Sequence, residues 1–180
     1  TWTQAARGLD VARARGPTGL SNAHIKVVFE RDDLLAESVA DYYQLIRSGD
    51  VSADVREILI AGTGVPLKQS ESKIRPVVVP SATLRVIGRV DMRQLKKEFE
   101  EHFLHAHPRV KQFAVGVEQG GEVMFRMIAD SLKGSATKVA VGNDAKKAYQ
   151  NFDRESLWPI IDEKFPQIAN LVRLCYGIPS

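Results

Sequence analysis

Two stretches of the sequence carry side chains that could do chemistry. The stretch 144–149 reads Asp-Ala-Lys-Lys-Ala-Tyr and places a carboxylate at the end of the alternating segment 138–144. A second stretch, further upstream, holds the cations Lys68, Lys73 and Arg75 around a polar tip. A carboxylate binds divalent cations, and clustered cations neutralise phosphate groups. These residue types therefore suit phosphoryl transfer, which depends mainly on positioning and charge neutralisation.

Each of these residues also has a purely structural interpretation. An aspartate at the end of a strand, such as Asp144, is commonly a helix cap or a turn former. Tyr149 fits simple packing in or beside a core. Three cations around a loop tip fit a solvated surface. The functional interpretation depends on the joint occurrence of these residues, in one order along the chain.

The elements that would position the cations are predicted to form a hairpin. The runs 57–61 and 74–79 are rich in β-branched and other apolar residues, which favours short strands. The polar tip 68–73 joins them. We therefore expect a basic hairpin over 56–80. The alternating segment 138–144 predicts a further strand, which would end on the carboxylate.

Apolar residues at helical spacing predict helices elsewhere. The stripe within 34–46 indicates one helix, which should end at Gly49 after a cation in its last turn. Ser21 can cap a short helix over 24–29. Further helices are predicted over 84–104, over 123–132 and, separated by Pro166, between 157 and 172.

Composition bounds the class of protein. The 180 residues carry 25 Lys and Arg against 22 Asp and Glu, a net charge of +3, which permits a polyanionic partner without requiring one. The single cysteine, Cys175, excludes an intramolecular disulfide and favours a reducing compartment. No apolar run approaches the roughly 18 residues of a membrane span. We therefore expect an intracellular protein with no membrane partner.

Several motifs, taken in order, resemble those of a known family. They are 15–20 (Arg-Gly-Pro-Thr-Gly-Leu), 67–77 (Leu-Lys, a polar tip, then Ile-Arg-Pro-Val), 84–89, 112–116 with 120–122 (Gln-Phe-Ala-Val-Gly and Gly-Gly-Glu), 144–149 (Asp-x-x-x-Ala-Tyr) and 152–154. Together they resemble the reverse transcriptases of non-LTR retrotransposons and their relatives. The resemblance spans nearly the whole chain.

The resemblance implies a role for each residue of the stretch 144–149 that matches the family's first catalytic motif. Asp144 would be the catalytic carboxylate and a ligand of the divalent cation. The backbone carbonyl of Ala145 would complete the metal shell, and Ala148 would leave room beside the incoming sugar. Tyr149 would stand against the 2′ position of that sugar and exclude ribonucleotides. The implied cofactor is Mg²⁺ or Mn²⁺, with two ions in a complete active site.

The resemblance also implies a role for the hairpin. Lys68, Lys73 and Arg75 would fold over the β- and γ-phosphates of a deoxynucleoside triphosphate. Arginine supplies a bidentate grip on phosphate, whereas lysine supplies a point charge. These three residues, together with Ala145, Ala148 and Tyr149, are the expected nucleotide-binding set.

The expected fold is α+β, as a fragment of a right-hand polymerase. Residues 1–110 would form the fingers, with N-terminal helices, the basic hairpin 56–80 and a long helix over 84–104. Residues 111–180 would begin the palm, an antiparallel sheet packed on helices. The chain begins with Thr rather than Met and is expected to be a piece of a longer protein.

The expected function is copying of RNA into DNA in a retrotransposon, by addition of deoxynucleotides to a primer 3′ end. The partners would be an RNA template, a DNA primer, deoxynucleoside triphosphates and the remaining palm and thumb, within a ribonucleoprotein in the nucleus or cytoplasm. The sequence contains no Tyr/Phe-x-Asp-Asp motif, so we expect the isolated chain to be inactive. A non-catalytic nucleic-acid-binding remnant is the alternative, and an unrelated α+β enzyme with a chance motif is a third possibility.

Overall fold

A computed structural model of the chain describes residues 1–71, 73–105, 111–114, 117–143 and 152–177. Over these residues the fold is mixed, with helices and one two-stranded antiparallel sheet. The expected α+β class is confirmed at this coarse level. The chain divides into two compact units, one made of Thr1–Asp91 with Asp153–Ser180 and the other of Met92–Phe152.

The described residues form helices, two strands and one 3-10 turn. In chain order they are α1 (Trp2–Arg7), α2 (Asn22–Arg31), α3 (Asp33–Ser48), α4 (Ala53–Ile60), β1 (Gly62–Ser70), β2 (Lys73–Pro80), α5 (Ala82–Gln94), α6 (Lys96–His105), α7 (Gly120–Leu132), α8 (Leu157–Lys164), a 3-10 turn (Pro166–Ile168) and α9 (Ala169–Tyr176).

Local capping signals define the helices α2 and α3. The Ser21 hydroxyl accepts a hydrogen bond from the His24 backbone N–H at 3.3 Å, and Nδ1 of His24 accepts one from the Ser21 N–H at 3.4 Å. This reciprocal pair is a capping box. Gly49, with a φ of 78°, ends α3 in the left-handed conformation that glycine tolerates best. The predicted helices over 24–29 and 34–46 are confirmed.

The core of the first unit joins its N-terminal helices to its last one. It contains twelve buried apolar residues: Ala6, Leu9, Ile25, Phe29, Tyr43, Ile46, Leu59, Ala82, Val86, Ile87, Leu171 and Leu174. The Trp2 and Tyr43 rings pack in an edge-to-face arrangement, with centroids 5.6 Å apart. Arg56 on α4 donates to the backbone carbonyls of Arg173 (2.8 Å) and Leu174 (2.9 Å). The Arg173 carbonyl also accepts from the Gly177 N–H at 2.8 Å, so Arg56 is its second donor, and the two bonds tie α4 to the end of α9.

The strand predicted over 57–61 is wrong, because 57–60 belong to α4. The Ser52 hydroxyl accepts from the Val55 N–H at 3.4 Å, and Asp54 lies in the first turn, so local signals start a helix here. A short apolar run cannot by itself distinguish strand from helix. The hairpin expected over 56–80 therefore spans only 62–80.

The long helix predicted over 84–104 is also wrong in part. It is interrupted at Leu95, between α5 and α6. The predicted helix over 123–132 is confirmed as α7, which begins at Gly120. The helices predicted between 157 and 172, on either side of Pro166, are confirmed as α8 and α9.

The strand predicted over 138–144 is wrong for residues 138–143, which carry no regular secondary structure, and residue 144 lies outside the described residues. A strand needs a neighbouring strand to accept its backbone hydrogen bonds. In the part of the chain that the structure describes, the sheet consists of β1 and β2 alone. An alternating sequence was therefore not sufficient to form a strand.

The second unit holds α6 and α7. The Phe99 and Phe103 rings stack on α6 with centroids 6.0 Å apart. Gly120, at the start of α7, lies so close to Phe113 that a Cβ there would overlap its carbonyl oxygen. Glycine is therefore required at this close approach.

Candidate functional site

The basic hairpin is the part of the predicted site that the structure describes. Leu67 lies opposite Arg75, and Lys68 lies opposite Ile74. Cross-strand partners project to the same face of a sheet, while successive residues of a strand project to opposite faces. Arg75 and Lys73, two positions apart on β2, therefore share one face, and Lys68 shares the other face with Ile74. The hairpin brings together two of its three predicted cations.

A β-bulge causes this separation. Ser70 pairs with Lys73, and the register shifts between Lys68 and Ser70, which leaves Gln69 as an extra residue. If the register of the Ser70–Lys73 pair continued along the hairpin, Lys68 would lie opposite Arg75. The bulge moves Lys68 by one position, and a shift of one position reverses the face to which a side chain points.

The three cations also differ in their partners. Nζ of Lys68 lies 3.4 Å from Oε1 of Glu71, an ion pair whose carboxylate is 99% exposed and whose stabilisation is correspondingly small. Lys73 and Arg75 are exposed, and neither forms an ion pair with another described residue. Their charge is therefore available to a ligand.

Both faces of the hairpin are open to solvent along most of its length. Apolar side chains are exposed there, with Ile74 66% and Val78 64% accessible. A two-stranded hairpin is marginally stable by itself.

The base of the hairpin meets the segment 15–20. Gly16 is buried, and a Cβ at this position would lie 2.6 Å from the Pro80 carbonyl oxygen and 2.8 Å from Cα of Ser81. Ser81 is itself buried, and its hydroxyl accepts a hydrogen bond from the Leu84 N–H at 3.2 Å. The structure therefore joins the 15–20 motif, the hairpin and the start of α5. Glycine at position 16 is visible in the sequence, whereas this contact is visible only in the fold.

The other predicted site residues, Asp144, Ala145, Ala148 and Tyr149, lie outside the described residues. The chain leading to them is described. Residues 138–141 and α7 line an open groove of about 670 Å³ within the second unit. The groove is mainly apolar, with Met124, Met127 and Ile128 on its α7 side, and it carries the cations Lys111 and Lys138.

Two further features of the described residues concern metal-binding and nucleophilic side chains. Among them there is no cluster of three or more His, Cys, Asp or Glu side chains that could hold a metal ion. Cys175 is half-buried, and burial raises the pKa of its thiol, with a smaller opposing effect of Arg56. A raised pKa reduces the thiolate that a nucleophile requires.

None of the helices in the described residues has both the length and the apolar composition to cross a bilayer.

Comparisons with models of protein families, with curated proteins and with solved structures found no match to this chain.

Proposed function

We propose that this chain is the fingers and the first part of the palm of an RNA-directed DNA polymerase of the non-LTR retrotransposon type. The observation that supports this most is the exposed β1–β2 hairpin, which presents Lys73 and Arg75 on one face without an acidic partner among the described residues. Two adjacent cations on a solvent-exposed element fit the phosphates of a nucleoside triphosphate.

The proposal assigns the remaining steps to the stretch 144–149. Asp144 and the Ala145 carbonyl would bind Mg²⁺ or Mn²⁺, which neutralises charge on the phosphates during transfer. Ala148 would leave room for the sugar, and Tyr149 would exclude a 2′ hydroxyl. One metal-binding carboxylate cannot hold two cations, so we expect the 180-residue chain to bind a triphosphate without extending a primer.

The contact between Gly16 and the backbone at Pro80 supports the same proposal. It ties the motif at 15–20 to the base of the hairpin, so two segments that carry the family resemblance are adjacent in the fold. In the proposal, residues 1–110 are the fingers and 111–180 begin the palm. The partners are an RNA template, a DNA primer and deoxynucleoside triphosphates.

Equilibrium binding of a radiolabelled deoxynucleoside triphosphate to the full chain, with and without Mg²⁺, tests the proposal. The Lys73→Ala/Arg75→Ala variant should bind roughly a hundredfold more weakly or worse, because charge-assisted hydrogen bonds contribute about 1.5–3 kcal/mol each. The Asp144→Ala variant should lose the dependence on Mg²⁺. The binding should favour the deoxynucleotide over the ribonucleotide, and Tyr149→Ala should reduce this preference.

The matched control is Lys96→Ala/Lys97→Ala, which removes the same charge from exposed positions of α6. It should change the affinity by about twofold or less, since exposed charges that do not contact the ligand are screened by salt. Equal losses in the two double variants would contradict the proposal, because the hairpin would then act only through net charge. Retained RNA binding with no triphosphate binding would favour the non-catalytic nucleic-acid-binding alternative.

A further inference from the structure

The outward side of α3 carries apolar side chains that no other part of the described chain covers. The helix buries its opposite side in the core, whereas Leu34, Tyr42 and Leu45 are exposed, Leu34 by 79% and Leu45 by 51%. Together with Ser38, they follow the spacing i, i+4, i+8 and i+11, which places them in one row along the helix. This outer row is about 17 Å long, from the rise per residue of an α-helix.

A row of carboxylates runs beside the outer row. Asp33, Glu37 and Asp41 are exposed and follow one another at intervals of four residues. None of them forms an ion pair with another residue that the structure describes. Like charges at i, i+4 on a helix repel each other, and the helix dipole compensates only Asp33 in the first turn. The outward side of α3 is therefore both apolar and locally acidic, although the chain has a net charge of +3.

The acidic row restricts the kind of partner that suits the outer row. Exposed apolar residues bordered by polar ones are typical of surfaces that contact a protein or a membrane. Carboxylates repel the phosphates of nucleic acids and of anionic lipid headgroups. A protein segment that brings lysine or arginine beside its own apolar side chains would cover the outer row and neutralise the acidic row together.

We propose that the outward side of α3 binds a basic amphipathic helix of another protein. The outer row forms a ridge of the kind that packs into the groove between side-chain rows of a second helix. In such a pair the apolar residues of the partner would contact Leu34, Tyr42 and Leu45, and its cations would lie beside Glu37 and Asp41. The apolar contacts would supply most of the affinity, while the charges would select a basic partner.

The test is anisotropy of a labelled helical peptide of about 14 residues that contains only leucine and lysine, with leucine at the spacing i, i+3, i+4 and i+7. The full chain should bind this lysine peptide. It should bind a matched peptide of leucine and glutamate about tenfold more weakly or worse, because the acidic row repels the second peptide. Equal binding of the two peptides, or binding of neither, would overturn the proposal.

Variants of the apolar residues test whether the lysine peptide binds at α3. Leu34→Ser/Leu45→Ser should weaken its binding about tenfold, since the two leucine side chains leave water when the peptide binds. The matched control is Val11→Ser/Ile58→Ser, which removes exposed apolar side chains outside α3. It should change the affinity by about twofold or less, because these residues do not contact the peptide. Equal losses in the two double variants would overturn the site.

Variants of the carboxylates test the choice of a basic partner. Glu37→Gln/Asp41→Asn should reduce the preference for the lysine peptide over the glutamate peptide by about fivefold, with a smaller effect at high salt. The control Asp130→Asn/Glu155→Gln removes the same charge from exposed positions of other segments and should leave the preference unchanged. A preference that survives Glu37→Gln/Asp41→Asn would overturn the role of the acidic row.

This site does not depend on the proposed function. Triphosphate binding should be the same in Leu34→Ser/Leu45→Ser as in the unmodified chain, because α3 carries none of the residues that are proposed to bind the nucleotide. Loss of triphosphate binding through the hairpin would overturn the polymerase proposal and leave the peptide result standing.

Two other occupants of the outer row would give different outcomes. Self-association of the chain in sedimentation equilibrium, abolished by Leu34→Ser/Leu45→Ser, would assign the outer row to a second copy. Binding to phosphatidylglycerol vesicles that the same variant loses would assign it to a lipid surface. Either result would overturn the proposal.

A final measurement uses the unmodified chain and so does not depend on the folding of a variant. The backbone amide resonances of residues 33–45 should shift on addition of the lysine peptide and reach saturation. Shifts confined to other segments would overturn the site on α3.

Discussion

Nε of Arg47 donates a hydrogen bond of 2.6 Å to Oδ1 of Asp91 and so ties α3 to α5. The Arg47 side chain is 20% exposed and that of Asp91 is 5% exposed. Burial raises the pKa of the Asp91 carboxyl, and the hydrogen bond and charge of Arg47 oppose this rise. Oδ2 of Asp91 has no partner. The carboxylate therefore depends on Arg47 for its compensation.

Removal of Arg47 should destabilise the fold strongly. Arg47→Ala leaves a buried carboxylate without its partner, which typically costs about 3–5 kcal/mol. Urea unfolding at neutral pH, followed by circular dichroism, would measure the loss. Lys164→Ala, which breaks the exposed pair with Glu163, serves as the control and should change the stability little, because solvent screens this pair. Similar losses in the two variants would show that the Arg47–Asp91 pair has no special importance.

The effect of Arg47→Ala should also depend on pH. The folded-state pKa of Asp91 is raised above its ordinary value of 3.8, so the folded chain holds this proton more tightly than the unfolded chain. The contribution of Asp91 to stability is then full below the ordinary pKa and is lost as the pH rises through the folded pKa. Without Arg47 that pKa rises further. Arg47→Ala should therefore destabilise more at neutral pH than at about pH 3.

The control for this pH dependence is Asp91→Asn, made alone and with Arg47→Ala. Because asparagine does not titrate, the difference in unfolding free energy between these two variants should be independent of pH over this range. If the Arg47→Ala difference is the same at both pH values in the presence of Asp91, the assignment to this carboxyl is wrong.

Two glycines should respond in opposite ways to alanine. Gly16→Ala places a Cβ 2.6 Å from the carbonyl oxygen of Pro80. Because this backbone atom cannot shift without disturbing the base of the hairpin, the free energy of unfolding should fall by about 1–3 kcal/mol. Gly88→Ala meets no atom within 4 Å in the middle of α5 and should stabilise the chain by about 0.5–1 kcal/mol. Thermal unfolding of both variants checks this. A stabilising Gly16→Ala would contradict the close approach at the hairpin base.

The hairpin register predicts unequal contributions from its cations to triphosphate binding. Lys68 lies on the opposite face from Lys73 and Arg75 and is near Glu71. Lys68→Ala should therefore weaken binding by about threefold or less, because it removes only an exposed charge. Arg75→Ala should weaken binding by about tenfold, because it removes a charge-assisted hydrogen bond. Equilibrium binding of the single variants would measure both. An equal loss would indicate that the hairpin changes its register when it binds the ligand.

Local signals in the sequence were sufficient for several elements. The stripe within 34–46 and Gly49 predicted α3, Ser21 predicted the start of α2, and Pro166 predicted the break between α8 and α9. Each of these features acts within a few residues along the chain, through side-chain periodicity, a cap or a missing N–H. The hairpin was also predicted, although its first strand was placed too early because a short apolar run fits α4 as well as a strand.

Relationships between distant residues were decided by the tertiary structure. Asp91 falls within the apolar stripe of α5, and that position was a sign that it is buried, but its partner Arg47 comes from another helix. The bulge at Gln69 separates Lys68 from Arg75 through the pairing of two strands, which no single-strand pattern specifies. Residues 138–143 alternate like a strand yet have no strand beside them among the described residues. Composition and periodicity determine which residues favour a helix or a strand, whereas partners, register and faces are set only when separate segments pack together.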